Sequence, residues 1–497
     1  MEHAIVVFDV GKTNKKLLVY DESLKLLTSS FQSFPTRMLD GVEVEPIDEI
    51  VSWFLETLGE LAREYPVRAV SVTTHGAALV CLDEKDEFSV PVVSYTHEPK
   101  NAERLHNDFF ELAGSRDRLQ VETATIELQP LVNPAKLLFF LQRTYPKDFR
   151  RTRRILLYPQ YFAYLLSGTP VADYTYVGCH SYLWDFSRKD WSHVADSLGV
   201  RNMLPDRIVA PWEPVGTVKP EIARKFGLGE DTVVSAGIHD SNASILPYLL
   251  KESDDFVLNS TGTWCVAMRP AQEVRFEASE VGKAVFYNQS AFGDPIKTSI
   301  LIGGLEFDTY SELIGTRGTD EAPDPDLYRR IVEEKRQFIL PSVLKGDGQF
   351  PTSDPRVVED GKVYPLADIQ AGRRRPPMFD DPPVALAVLN ISLAIQSRIA
   401  LQRVGLQDGE TIYIEGGFRN NQAYTSLLAA FFPGSRTALT TLEQATSFGG
   451  AMVAHAALTG TPPPLMTDMY QITPKPIQPM RIEGMDAYEA AFVELLG

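Results

Sequence analysis

The sequence predicts an α/β protein of two similar domains, each built on a mixed sheet that opens with a β-hairpin, with a binding cleft between them. Three observations carry this. Residues 4–21 read as an apolar strand, a turn of Gly11, Lys12, Thr13 and Asn14, and a second apolar strand. Residues 256–267 repeat that plan, with small hydroxyl residues and a glycine, Ser260-Thr261-Gly262-Thr263, at the tip. Around the hairpins, helical periods alternate with short apolar runs, which is the pattern an α/β fold produces.

Composition narrows the class. The 497 residues suffice for two domains with their own cores, and a hydrophobic share of 44% with both charge signs mixed argues against disorder. A net charge of -18 opposes binding to polyanions, so nucleic acid is not expected as a partner. Cys81, Cys179 and Cys265 are far apart and show neither CxxC nor Cys/His metal spacing, so no disulfide framework or zinc site is expected. Asp9 interrupts the first apolar run, and no later run approaches the roughly 18 residues of a membrane span. The expectation is a cytoplasmic protein without a membrane partner.

In chain order, the first hairpin leads through a polar, acidic segment at 40–46 to a helix over 47–65, whose Ile50, Val51, Phe54, Leu55, Leu58 and Leu61 fall at helical spacing. Residues 67–74 read as a strand ending at His75-Gly76, and 77–83 and 90–95 as further strands, the last followed by His97-Glu98. Helices are predicted over 100–112, 134–144 and 161–166, the last stopped by Ser167-Gly168. Residues 173–180, ending at His180, are dense in aromatics, a composition typical of sheet or core packing. Residues 205–220 are proline-spaced and irregular.

The second half starts from a strand at 232–236 that reaches Gly237, passes His239-Asp240 and continues as a helix. An aspartate in the first turn of a helix is ordinarily a cap, so Asp240 on its own decides nothing. The domain junction is placed there, giving domains 1–240 and 241–497. After the second hairpin come a strand and glycine turn at 298–305, loops at 347–354 and 372–383, and a long apolar helix over 384–404. A buried strand at 411–414 runs into Glu415-Gly416-Gly417, followed by a helix over 422–432 and a small-residue helix from 445.

Two nucleotide motifs can be discarded. A P-loop needs a glycine where Val6 stands and a helix where residues 16–20 read as a strand, and no G-x-G-x-x-G joins a strand to a helix. The paired hairpins suggest instead two half-molecules that face one nucleotide.

The ordered set of motifs resembles another family. Asp9-Val10-Gly11-Lys12-Thr13-Asn14-Lys15-Lys16 is similar to the first phosphate motif of the FGGY carbohydrate kinases, members of the actin, Hsp70 and hexokinase superfamily. Ser260-Thr261-Gly262-Thr263 resembles the second phosphate motif, Gly237-Ile238-His239-Asp240 the segment with the catalytic aspartate, and Glu415-Gly416-Gly417-Phe418-Arg419-Asn420 the adenosine motif. The resemblance covers essentially the whole chain and implies two actin-like (ribonuclease H-like) domains with ATP in the cleft. It also implies roles. Asp240 would be the catalytic base. Gly11, Lys12, Thr13, Asn14, Lys16, Thr261, Gly262 and Thr263 would hold the phosphates, and Gly416, Gly417 and Asn420 the adenosine. Asp9 and Asp240 would hold Mg²⁺, mostly through water. His75, Gly76, His97, Glu98, His180, His239 and Asp240 would face the sugar. Within the family the chain looks closest to the rhamnulose and fuculose kinases, although Ala78 and Thr96-His97 depart from their pattern. The expected acceptor is an uncharged ketose or deoxyketose, with xylulose, ribulose or a polyol as the alternative. A sugar-responsive ATP-binding regulator is the rival of a different class. A homodimer is left open.

Overall fold

The computed structural model describes residues 2–12, 14–128, 131–252, 255–318, 322–344, 348–442 and 444–496. The first sheet is assembled from β1 (Ala4–Val10), β2 (Asn14–Asp21), β3 (Leu26–Ser33), β4 (Val67–Thr74), β5 (Pro214–Thr217) and β6 (Val233–Ser235), in the order β5-β6-β4-β1-β2-β3. A short β7 (Ile238–His239) continues alongside β4. Every apolar side chain of β1 is buried, as befits a central strand covered on both faces. One cover is α1 (Ile47–Glu64), where Phe54 stacks on Phe8 of β1 with ring centroids 4.2 Å apart. The other cover comes from the far end of the chain.

After β7 the chain enters α2 (Asp240–Lys251) and then the second sheet: β8 (Phe256–Thr261), β9 (Cys265–Pro270), β10 (Val285–Gln289), β11 (Pro295–Leu301), β12 (Thr411–Gly416) and β13 (Arg436–Leu439), in the order β10-β11-β9-β8-β12-β13. The wiring repeats. β3-β2-β1-β4-β6 and β11-β9-β8-β12-β13 each take two antiparallel steps out and two parallel steps back from their first strand. The two hairpins therefore occupy equivalent places, as the sequence repeat suggested.

Helices α3 (Pro382–Arg403), α4 (Gln422–Phe431) and α5 (Ala445–Thr459) complete the described core. Among the described residues, α3 alone is long and apolar enough to cross a membrane, and it is the central helix of the second core. Asp381 accepts the N–H of Val384, and prolines at its first turn start the helix two residues before the sequence pattern does. The small-residue helix α5 covers the first sheet, with Ala451 and Met452 among Ile5, Val7 and Ala69. Helix α2 in turn places Ile245 and Tyr248 among Phe256, Leu258 and Tyr413 of the second sheet. The two helices cross where a Cβ on Gly449 would stand 2.0 Å from the Ala243 carbonyl oxygen, so only glycine fits.

Some expected elements differ. The strand expected at 77–83 is Leu79–Leu82, and it pairs with Arg154–Leu157 away from the main sheet. Residues 90–95 make only the single bridge Val44 to Val93. The irregular 205–220 segment contains the edge strand β5, short enough to leave little periodicity.

Candidate active site

Strands β1 and β4 end at the Gly11 turn and at His75-Gly76, and β7, in register with Thr73 and Thr74 of β4, delivers His239 and Asp240 to the same rim. On the other sheet, the β8–β9 tip and the end of β12 at Gly416 meet side by side, with Thr261 paired to Gly416. Both rims open onto one cavity of about 410 Å³, lined by His75, Gly76, His180, His239 and Asp240 on one side and by Ser260, Thr261, Gly262, Thr263 and Gly416 on the other. Ligands commonly sit beyond the carboxyl ends of parallel strands, where the chain leaves the sheet. The fold thus unites motifs that are up to hundreds of residues apart in the chain.

Asp240 is the first residue of α2, one place after the N-cap, and its Oδ1 accepts the Ser241 N–H at 2.6 Å and the Ser241 hydroxyl at 3.2 Å. Burial pushes its carboxyl up to about 6, and the Ser241 hydrogen bonds oppose that rise. A carboxylate poised near neutrality suits a general base. His239 Nε2 lies 3.2 Å from the same oxygen, and Asn242 Nδ2 lies 2.9 Å from His239 Nδ1. An amide nitrogen only donates, so this arrangement puts the His239 proton on Nε2, facing Asp240. Burial lowers His239 and His180 to about 3, and burial with the nearby Lys15 and Lys12 lowers His75 well below the usual histidine range, so all three rings are neutral.

Behind the rim is a buried polar brace. Thr175 Oγ1 accepts the His239 N–H at 2.9 Å, Asp173 accepts the Thr175 N–H at 2.8 Å, and Gln160 donates to Asp173 at 3.1 Å and to the Ala236 carbonyl at 3.0 Å. These residues sit in segments that read as aromatic packing, which hid them. Gly76 has a specific reason to be glycine: a Cβ there would stand 2.7 Å from His239 Nε2 and 2.9 Å from both Cys179 Sγ and His180 Nε2.

Asp9 is half-buried at the end of β1, and desolvation lifts its carboxyl to about 6, opposed by Lys16 and reinforced by Asp240. Two carboxylates that feel each other on one rim suit a hydrated divalent cation. Lys16 also donates to Gln444 at 3.1 Å. Lys12 is placed differently from expectation. Its amine is 2.7 Å from Glu45, bonds Ser94 and lies 4.9 Å over the Tyr95 ring, so it is engaged by side chains of the first half of the chain. The completely buried Lys15 stands 3.8 Å from the other Glu45 oxygen. Neither Glu45 nor Lys15 stood out in the sequence, because alternation in a hairpin does not say which side chain turns inward. Asn14 is exposed at the start of β2, and Thr13 lies outside the described residues.

On the second sheet, Gly262 and Thr263 are exposed at the hairpin tip and line the cavity. The Thr261 hydroxyl is not available to a phosphate, since it donates to the Glu415 carbonyl and accepts the Phe418 N–H at 3.0 Å. Gly416 has φ +79°, and a Cβ there would stand 1.9 Å from the Thr261 carbonyl oxygen. Gly417 has no such constraint, its nearest neighbour being 3.8 Å away, and Asn420 is exposed at the end of the turn.

Two expected sugar contacts lie elsewhere. His97 accepts the Glu43 N–H at 3.3 Å and packs 5.5 Å from the Phe140 ring, and Glu98 is exposed; neither lines the cavity. Strand-end position suggested them, but residues 90–95 do not join the sheet. Phe286 and Asn288 of β10, whose inward face no motif marks, do line it, as does Trp264 of the β8–β9 turn.

Comparison with known proteins matches two separate stretches of the chain. Residues 4–247 match the N-terminal domain of the FGGY family of carbohydrate kinases, and residues 253–462 match the carbohydrate kinase FGGY C-terminal domain. The chain is similar to a rhamnulokinase of Oceanobacillus iheyensis, 23% identical over 92% of this chain and 94% of that protein. It is similar to an L-fuculokinase of Salmonella typhi, 24% identical over 54% of this chain and 56% of that one. The crystal structure of a carbohydrate kinase from Novosphingobium aromaticivorans has a TM-score of 0.79 at 25% identity, covering 100% of this chain and 98% of that one.

Proposed function

Because this chain belongs to the FGGY family of carbohydrate kinases, which are ATP-dependent phosphotransferases of the two-domain actin-like fold, we propose that it phosphorylates a primary hydroxyl of an uncharged ketose, a deoxyketohexose such as L-rhamnulose or L-fuculose. The observation that carries this is the charge state of the cavity. Among the described residues that line it, the three histidines are neutral and the one lysine, Lys12, is already paired with Glu45. A sugar acid would meet no uncommitted cation there and would be repelled by Asp240. Both ring nitrogens of His75 and the Asn288 Oδ1 are buried without partners, which is what hydroxyl groups would satisfy.

In the reaction, Asp240 accepts the proton of the attacking hydroxyl while that oxygen bonds the γ-phosphorus and the bond to the leaving ADP oxygen breaks. His239 Nε2–H orients the Asp240 carboxylate, and the Thr175 brace fixes His239. Thr263 offers a backbone N–H group to the phosphates, the Gly262 N–H being donated to the Trp264 carbonyl at 3.0 Å within the tip, and Gly416 allows the adenosine turn to lie against the hairpin. Asp9 and Asp240 would hold Mg²⁺, which when bound neutralises charge on the phosphates. The proposal includes a cytoplasmic location, where ATP is supplied.

The test is ADP release by the purified protein with ATP and a panel of ketoses, deoxyketoses, polyols and sugar acids. A deoxyketohexose should give the highest kcat/KM. Preference for a sugar acid, or rapid hydrolysis without any sugar, would overturn the reading.

A further inference from the structure

We propose that Cys179, His180 and His239 form a binding site for a borderline-soft metal ion, Zn²⁺ by preference, at the sugar end of the cavity. One ligand atom from each residue falls within 4.8 Å of the others, and all three converge on the space that the missing side chain of Gly76 leaves open. His180 and His239 reach that space from the cavity wall, and Cys179 lies buried directly behind them. A thiolate with two neutral imidazoles is a ligand set for zinc rather than for magnesium, which prefers oxygen.

The environment of His239 allows the change of state this requires. A metal on Nε2 needs the ring proton to move to Nδ1, and Nδ1–H then needs an acceptor. Asn242 is completely buried, its Nδ2 faces Nδ1 at 2.9 Å, and its Oδ1 has no partner. Turning that amide over presents Oδ1 to Nδ1–H and satisfies the orphaned oxygen, at the loss of the Nδ2 hydrogen bond to the Thr175 carbonyl at 3.3 Å. Metal binding would release the Cys179 thiol proton to solvent, and the cation would then hold the thiolate. Asp240 Oδ1, 3.2 Å from His239 Nε2, or water could supply the fourth ligand.

The consequence is inhibition: an ion so placed takes His180 and His239 from the sugar. Direct binding is independent of the kinase reading, and inhibition rests on it. Titration of the nucleotide-free protein with Zn²⁺, and with Co²⁺ followed by its visible and thiolate charge-transfer absorption, should show one tight site with a sulfur ligand. Cys179→Ser should abolish the thiolate band and weaken zinc binding by at least about tenfold, with sugar turnover in the absence of zinc little changed. If sugar kinase activity is present, Zn²⁺ should raise KM for sugar and leave KM for ATP alone. A Co²⁺ complex without the thiolate band, or zinc binding unchanged in Cys179→Ser, would overturn the site. Should that variant fold poorly, the wild-type cobalt spectrum decides by itself, since the other cysteines are buried elsewhere.

Discussion

Tyr248 donates its hydroxyl hydrogen to Glu415, 167 residues further along the chain. Tyr248 sits two turns into the helix that Asp240 begins, and Glu415 immediately precedes Gly416, so that helix and the Gly416 turn are joined by a buried hydrogen bond. Thr440 completes the cluster, its Oγ1 lying 2.9 Å from the Tyr248 oxygen and 3.3 Å from Glu415. Tyr248→Phe leaves a buried carboxyl short of a donor, a loss of about 1–3 kcal/mol. It should lower Tm and raise KM for ATP several-fold, with KM for sugar nearly unchanged. Steady-state kinetics in both substrates checks this, and an effect on sugar alone would contradict it.

Asp240→Asn should keep the fold and most ATP affinity while lowering kcat by about 10² to 10⁴, the range for loss of a general base. Thermal melts and nucleotide titration separate this from misfolding.

Because burial holds the Asp240 carboxyl at about 6, kcat/KM should fall as pH drops through that value and the base becomes protonated. The Ser241 hydroxyl hydrogen-bonds the carboxylate and lowers that value. Ser241→Ala should therefore move the acidic limb to higher pH, which a pH profile of both proteins would show.

Gly416→Ala should abolish tight ATP binding or destabilise the second domain, because its Cβ would meet the Thr261 carbonyl and φ is +79°. Gly417→Ala meets nothing closer than 3.8 Å and should bind ATP nearly as wild type. Equal losses in the two variants would show that the glycine pair acts through the nucleotide instead.

Glu306 is buried and raised to about 7 by burial, with Gln396 donating to it at 2.7 Å. An acid raised in the folded state above its unfolded value of about 4 binds more protons folded than unfolded between those values. Its contribution to stability is therefore favourable at low pH and lost as pH rises through about 7. Glu306→Gln should gain on wild type in Tm between about pH 5 and about pH 8, since an amide has no charge to bury.

His75→Ala should raise KM for sugar without changing that for ATP, while His97→Ala should change neither, since only His75 lines the cavity. Parallel kinetics of the two variants tests the placement.

What the sequence determined by itself is local and repeated. Alternating apolar strands around short Gly/Thr/Asn turns marked both hairpins, 3.6-residue periods marked α1 and α3, and the order of the motifs pointed to the family, because backbone geometry and turn chemistry are set by neighbouring residues. Asp240, His75, Gly76, His180 and His239 were legible for the same reason, each standing at the end or start of an apolar run. Which side chains share a cavity was decided only by the tertiary structure. Lys12 turns to Glu45, the Thr261 hydroxyl braces Glu415 and Phe418, and His97 stays out of the cavity lining because the run before it never joins the sheet. Helices α2 and α5 cover the opposite sheets through a contact at Gly449 and Ala243, two small residues that carry no directional pattern. Partners of this kind are selected by three-dimensional packing and by the need to satisfy buried polar groups across long stretches of chain, and neither leaves a period in the sequence.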